Sequence, residues 1–209
     1  VRHGETEWSR DLRHSSFTDV PLTALGERQA KALGPVLAAL HPVLVLISPT
    51  GRAYRTAELA GLTGLAGTET EPDLVEWNYG GYEGMTTAQV RREHPRWTIW
   101  AGHPPPGGET AEQVGVRVDR VLARARAALP AGNVLAIGHG HCCRVLTARW
   151  LGLAARDGRL FALDPASPCA LGTEHGGPVL HRWNLDNPLD NPATGAPVRA
   201  ATSPTTDAP

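Results

Sequence analysis

The chain has 209 residues and a mass of 22.2 kDa, enough for one domain with a sizeable core and too little for two full ones. Hydrophobic residues make up 41%, charged residues 20%, and mean hydropathy is -0.24, a balance that excludes wholesale disorder. With 20 Lys and Arg against 21 Asp and Glu, the net charge of -1 provides no global field for nucleic acid or anionic membranes.

The chain opens at Val1 without an initiator Met and reaches Arg2-His3-Gly4-Glu5 at once, so a few residues supplying a first strand are expected ahead of it. Thr23 precedes a helical stretch to about residue 40. Residues 43–48 (VLVLIS) and 134–138 (VLAIG) are short aliphatic runs closed by Pro or Gly, which predicts central parallel strands buried on both faces. Between them, Thr50 starts a helix to about residue 61 and Thr110 one to about residue 129. In the latter, Val114, Val118, Val121, Leu122 and Ala125 recur at helical spacing, and the interleaved Arg117, Arg120, Arg124 and Arg126 read as a solvated face. A further helix over residues 140–151 and strands near 169–174 and 179–183 are expected to complete the sheet. Alternating strands and helices predict an α/β fold, a domain over 1–186. Residues 187–209, rich in Pro, Ala, Thr and Asn, read as a disordered tail.

Cys142, Cys143 and Cys169 cannot all pair and make no CxxC, which fits a reducing cytoplasm better than a disulfide framework. The longest aliphatic run, residues 43–47, falls far short of a membrane span, and no charged-then-apolar leader opens the chain.

Ligands of open α/β sheets bind beyond the carboxyl ends of the strands. Four segments are expected there: RHGE at residues 2–5, SPTGRAYRTA at 48–57, LVEW at 74–77 and GHGH at 138–141. Together they offer two His, at least two Arg and one Glu among small Gly neighbours. Guanidinium groups and a helix N-terminus neutralise a phosphoryl dianion. A neutral imidazole nitrogen can attack phosphorus, and a carboxylic acid can protonate the departing alkoxide. The set reads as phosphoryl transfer through a phosphohistidine. Neither a Walker A loop nor an Asp-rich metal site is present in the sequence, so no metal or other cofactor is expected. The run GHGHCC is a poor zinc site, because structural zinc draws on two separated ligand pairs.

RHGETEW (2–8), TDVPLTALGERQA (18–30), SPTGRAYRTA (48–57), LVEWNYGGYEG (74–84), GGET (107–110) and GHGHCCR (138–144) occur in order. On these the sequence resembles the histidine phosphatase superfamily, in its phosphoglycerate mutase-like branch. The resemblance implies a three-layer α/β/α sandwich around a mostly parallel sheet. It makes His3 the phosphorylated nucleophile, with Arg2, Arg52 and a protonated His139 on the phosphoryl oxygens, Gly140 beside them, and Glu76 the proton donor. Ser9 stands where the family often has Asn, and is expected to reach a phosphate oxygen through water. Thr18, Glu109, His141 and Tyr79 are expected around this centre or against substrate, with Glu109 either orienting an Arg or capping the helix after Thr110. Trp77, Tyr82, Trp97 and Trp100 either line the pocket mouth or pack beneath it.

EWNYGGYEGMTTAQV, the WTIWAG stretch at 97–102 and HGH most resemble small broad-specificity phosphatases and the sedoheptulose-1,7-bisphosphatase-like group. The implied partner is a small phosphorylated metabolite, with no nucleic acid and no membrane, and a homodimer is plausible by resemblance. The alternatives are a cofactor-dependent phosphoglycerate mutase and a non-catalytic phosphate-binding domain. Residues 85–106 are short for a mutase-type covering insertion, and His3, Glu76 and His139 are all present, which favours the phosphatase.

Overall fold

A computed structural model describes residues 1–101 and 103–190; most of the expected tail and the Gly102 that ends the WTIWAG stretch lie outside them. Strand β1 (Leu44–Ile47) pairs in parallel with β2 (Thr68–Thr70) on one side and β3 (Val134–Ile137) on the other. Beyond β3 the first residues extend the same parallel pattern: Val1 N donates to Ala136 O, Gly138 N to Val1 O and His3 N to Gly138 O. Alternation along β1 and β3 makes the three layers. Leu46 faces a core with Val114, Val118, Val121, Cys142 and Val145, whereas Val45, Ile47, Leu135 and Ile137 face Leu33, Leu37, Ala53 and Ala57. The first core belongs to α5 (Ala111–Ala128) and α6 (Gly140–Trp150), the second to α2 (Ala24–Ala38) and α3 (Gly51–Leu59). Short helices α1 (Glu7–Arg10) and α4 (Thr87–Glu93) lie in the connecting segments.

Three expectations are corrected. The last two strands, β4 (Ala170–Glu174) and β5 (Gly177–Arg182), do not complete the sheet but form a separate antiparallel pair. Their two-residue turn, His175-Gly176, has φ of 50° and 79°, the left-handed pair that a tight hairpin requires. An apolar groove of about 780 Å³ separates β3 from β4. Residue 187 does not begin a tail: Asn187 is buried, and its amide donates to Gln29 O and Ala166 O. Arg117 is not on the solvated face, although Arg120 and Arg124 are, paired with Asp73 and with Glu69 and Glu71.

Thr23 and Thr110 cap α2 and α5 as expected, accepting from Gly26 N and Gln113 N. The start of α2 packs directly on the RHGE segment. A Cβ on Gly4 would lie 2.5 Å from Gly26 O, and one on Gly26 would lie 2.1 Å from Glu5 O, so only glycines allow this approach. No helix among the described residues is long and apolar enough to cross a membrane.

Candidate active site

The carboxyl ends of β1 and β3, with the segment after Val1, deliver Ser48, His139 and His3 to one place. His3 is buried and held by its backbone: N donates to Gly138 O, O accepts from Ala166 N, and the following Gly4 N donates to Thr56 Oγ1 at 3.1 Å. Its Nδ1 lies 2.7 Å from Gly4 O. A carbonyl only accepts, so Nδ1 carries the proton and Nε2 carries the free lone pair. Burial, then Arg2, then Arg52 hold the His3 pKa well below the usual histidine value, which keeps that lone pair available in acid.

The His139 and His3 rings are 5.1 Å apart between centroids. Ser48 Oγ is 2.8 Å from His139 Nε2, with Thr50 Oγ1 at 3.3 Å. Thr50 therefore makes no side-chain cap on α3. Burial first, and then His3, Arg52 and Arg2, hold His139 well below its ordinary pKa, which favours the neutral imidazole in the unliganded site. Charge is not required for it to donate. With the Ser48 hydroxyl donating to Nε2, the proton sits on Nδ1, which is buried and has no partner among the described residues.

Two more buried donors beside His3, Arg2 Nε and Arg52 Nε, lack partners among the described residues. The other arms of both guanidiniums are anchored on carbonyls: Arg2 Nη1 on Leu163 O at 2.6 Å, Arg52 Nη1 on Thr18 O and Nη2 on Ser15 O and Ser16 O. Thr18 thus acts through its backbone, and Glu83 fixes the same loop by accepting from Ser16 N and Thr18 N. Burial lowers both arginine pKa values, with Glu76 foremost among the groups that raise them. Unsatisfied donors on Arg2, Arg52 and His139, all neighbours of His3, make a site built for oxyanions.

Glu76 is buried opposite the N-terminus of α6. Its Oε1 accepts from Trp77 N and Cys142 N, both at 2.8 Å, and Oε2 from His141 N at 3.0 Å. His139 is the N-cap residue of α6 but makes no side-chain cap, so Glu76 supplies from another segment the acceptor that the first turn needs. A Cβ on Gly140 would lie 3.5 Å from Arg2 Nε and 3.6 Å from Glu76 Oε2; its missing side chain leaves the space between them open.

Arg117 had no sequence signal beyond helical phase. Its Nη1 donates to Asp73 O and Val75 O at 2.7 Å, its Nη2 to Glu76 O, and its Nε to Glu109 Oε1. Glu109 also accepts from Asn78 N, so it orients an arginine, while Thr110 caps the helix. Together they clamp the segment carrying Glu76. Arg117→Met is expected to lower stability by about 3 kcal/mol, because Glu109 and three carbonyls lose their partner. It should also lower kcat more than it raises KM, which chemical denaturation and steady-state kinetics would check.

Ser9 Oγ accepts from Thr6 N and donates to Thr6 O within the capping box of α1, so its one proton is used locally and its second lone pair is what remains for a bridging water. Tyr79 Oη lies 2.6 Å from His141 Nδ1. Trp77 and Trp97 pack in the core, while Trp100 sits partly exposed, 5.3 Å from Trp77 and 5.2 Å from His141 between ring centroids. Burial raises the Cys142 thiol pKa and that of Cys143 to about 11, so neither is a thiolate at neutral pH. Among the described residues, no three His, Cys, Asp or Glu side chains gather as metal ligands.

The profile of the histidine phosphatase superfamily (branch 1) matches residues 1–186. An acid phosphatase of Mycobacterium tuberculosis is 42% identical over 178 residues, covering 84% of this chain and 86% of the relative. A sedoheptulose 1,7-bisphosphatase of Saccharomyces cerevisiae is 32% identical over 186 residues, covering 75% of this chain and 68% of the relative. The solved structure of an open reading frame from Mycobacterium tuberculosis superposes with a TM-score of 0.83 at 40% identity, covering 89% of this chain and 95% of that one.

Proposed function

We propose, for a chain that belongs to branch 1 of the histidine phosphatase superfamily, a phosphatase reaction on small phosphomonoesters that runs through phospho-His3 without a metal. The chain is a phosphoric monoester hydrolase, in keeping with its phosphatase relatives. The observation that carries the mechanism is the trio of buried, partnerless donors on Arg2, Arg52 and His139 beside the free Nε2 of His3. The donors hold the three equatorial phosphoryl oxygens. Nε2 attacks phosphorus in line, the P–O bond to the alcohol breaks, and Glu76 delivers the proton that the departing oxygen needs. As carboxylate, Glu76 then takes a proton from water, whose oxygen attacks the phosphohistidine and releases orthophosphate and neutral His3. The substrates are sugar phosphates or similar metabolites. The three free cysteines support a cytoplasmic setting.

The test is hydrolysis of a sugar phosphate in EDTA with an alkaline quench. Activity should survive chelation, and mass spectrometry should find one phosphoryl group on the peptide containing His3. Loss of turnover in EDTA, or a phosphoryl group on another residue, would refute the mechanism. Because the His3 pKa lies well below 6.5, the acid limb of kcat/KM, which reports the free enzyme, should lie well below pH 6.5. A limb at or above that pH that stays in place when the substrate's own second phosphate pKa, about 6, is changed would contradict a neutral, pre-armed His3.

A further inference from the structure

The RHGE segment that carries His3 is held at two points, and the two holds share one side chain. Ala166 N donates to His3 O at 3.0 Å, and Leu163 O, three residues earlier than Ala166, accepts from Arg2 Nη1 at 2.6 Å. At the other end of the segment, Gln29 of α2 accepts from Glu5 N through its Oε1 at 3.0 Å. The amide of Asn187 joins these holds: Nδ2 donates to Ala166 O at 2.9 Å and to Gln29 O at 3.2 Å, while Oδ1 accepts from Leu189 N at 3.0 Å. Leu189 N can only donate and the two carbonyls can only accept, so the contacts allow one orientation of the amide, with both of its N–H groups used. Asn187 is 3% exposed, and Asp190 N closes a turn on its carbonyl at 2.9 Å.

Ala166 needs such a hold. It is buried with φ of 53°, the left-handed conformation in which a Cβ crowds the following carbonyl and which residues other than glycine keep only where their surroundings over-determine it. Its N–H is used by His3 and its carbonyl by Asn187. Without the Asn187 donor, the Ala166 peptide has a buried carbonyl stripped of that partner and a strained φ, and the rotation that relieves both withdraws its N–H from His3 O. Arg52 and His139 do not share this hold, since they are anchored on the carbonyls of Ser15, Ser16 and Thr18 and on Ser48. We infer, resting on the phosphatase reading, that Asn187 is a positioning residue for the reaction: by fixing the Ala166 peptide it sets His3 in line with the phosphoryl group.

The test compares Asn187→Ala, Ala166→Gly and the double variant with wild type, at a temperature well below the melting point of each. In Asn187→Ala, kcat/KM for a sugar phosphate should fall by about 10- to 100-fold. The inhibition constant of orthophosphate should rise by less than about threefold, because Arg52 and His139 keep their donors. Ala166→Gly has no Cβ to oppose a positive φ, so it should act like wild type by itself and recover most of the loss in the double variant. Hydrogen exchange read by mass spectrometry should be faster in the peptide spanning residues 163–168 of Asn187→Ala. A folded Asn187→Ala within about twofold of wild-type kcat/KM, a loss matched by equal weakening of orthophosphate, or no recovery in the double variant would overturn the inference. If Asn187→Ala does not fold, Asn187→Asp, whose Oδ1 still closes on Leu189 N, takes its place with the same expected and overturning results. A wild type that hydrolyses no sugar phosphate would instead sink the phosphatase reading, and exchange at residues 163–168 would still judge the hold on Ala166, an unchanged rate counting against it.

Discussion

His3→Ala is expected to reduce phosphatase kcat by roughly 10⁴-fold or more while the protein stays folded and still binds orthophosphate. The nucleophile has no substitute within the site: His139 points its one free nitrogen as a donor, with Nε2 occupied by Ser48. The fold should tolerate the change, because among the described residues the His3 side chain makes a single hydrogen bond, to the adjacent Gly4 carbonyl, while its backbone bonds to Gly138 and Ala166 remain. Stability should move by no more than about 1 kcal/mol, and it can rise, since a buried imidazole pressed by Arg2 and Arg52 is removed. Orthophosphate affinity should change by less than about tenfold, because the donors of Arg2, Arg52 and His139 remain. Kinetics, thermal melts and calorimetric phosphate titration together check this. Residual turnover within about tenfold of wild type would mean that water attacks directly and that His3 only binds.

What was legible in the sequence was set by local rules. The aliphatic runs of β1 and β3 are buried on both faces, and the Thr caps of α2 and α5 satisfy orphan backbone donors, so a short window determines each. The placement of Arg52 and His139 at one sheet edge follows from the same strands, whereas His3 arrives on the segment paired beyond β3 and Glu76 after the short β2. What escaped depends on long-range partners. Arg117 shares its helical phase with solvated Arg120 and Arg124, and Glu109 together with the carbonyls of Asp73, Val75 and Glu76, some forty residues away, draws it inward. Ser9 shows the opposite influence, since local bonds to Thr6 use the hydroxyl proton of a side chain that the motif places near the ligand. For β4 and β5 the strand pattern was correct but does not encode which edge a hairpin joins, and here it joins none of β1, β2 or β3.

Glu76→Gln is expected to lower kcat/KM, which ends with release of the alcohol and so leaves out hydrolysis of the phosphohistidine, by about 10²- to 10⁴-fold on a sugar phosphate and by much less on p-nitrophenyl phosphate. The difference between substrates is the informative quantity, because the substitution also disturbs structure. A carboxylate accepts on both oxygens, and Glu76 uses both, Oε1 for Trp77 and Cys142 and Oε2 for His141. An amide accepts on one atom only. With its oxygen at the Oε1 position it keeps two bonds and turns its NH₂ against the His141 N–H, at a cost of about 1–3 kcal/mol for the unsatisfied donor. That structural cost falls on every substrate alike. A missing proton falls on leaving groups in proportion to their basicity, heavily on a sugar alkoxide and lightly on p-nitrophenolate. Unequal losses would therefore identify Glu76 as the acid. Equal losses would reduce it to the cap of α6, and the proton would then have to reach the departing oxygen from water or from the Tyr79–His141 pair.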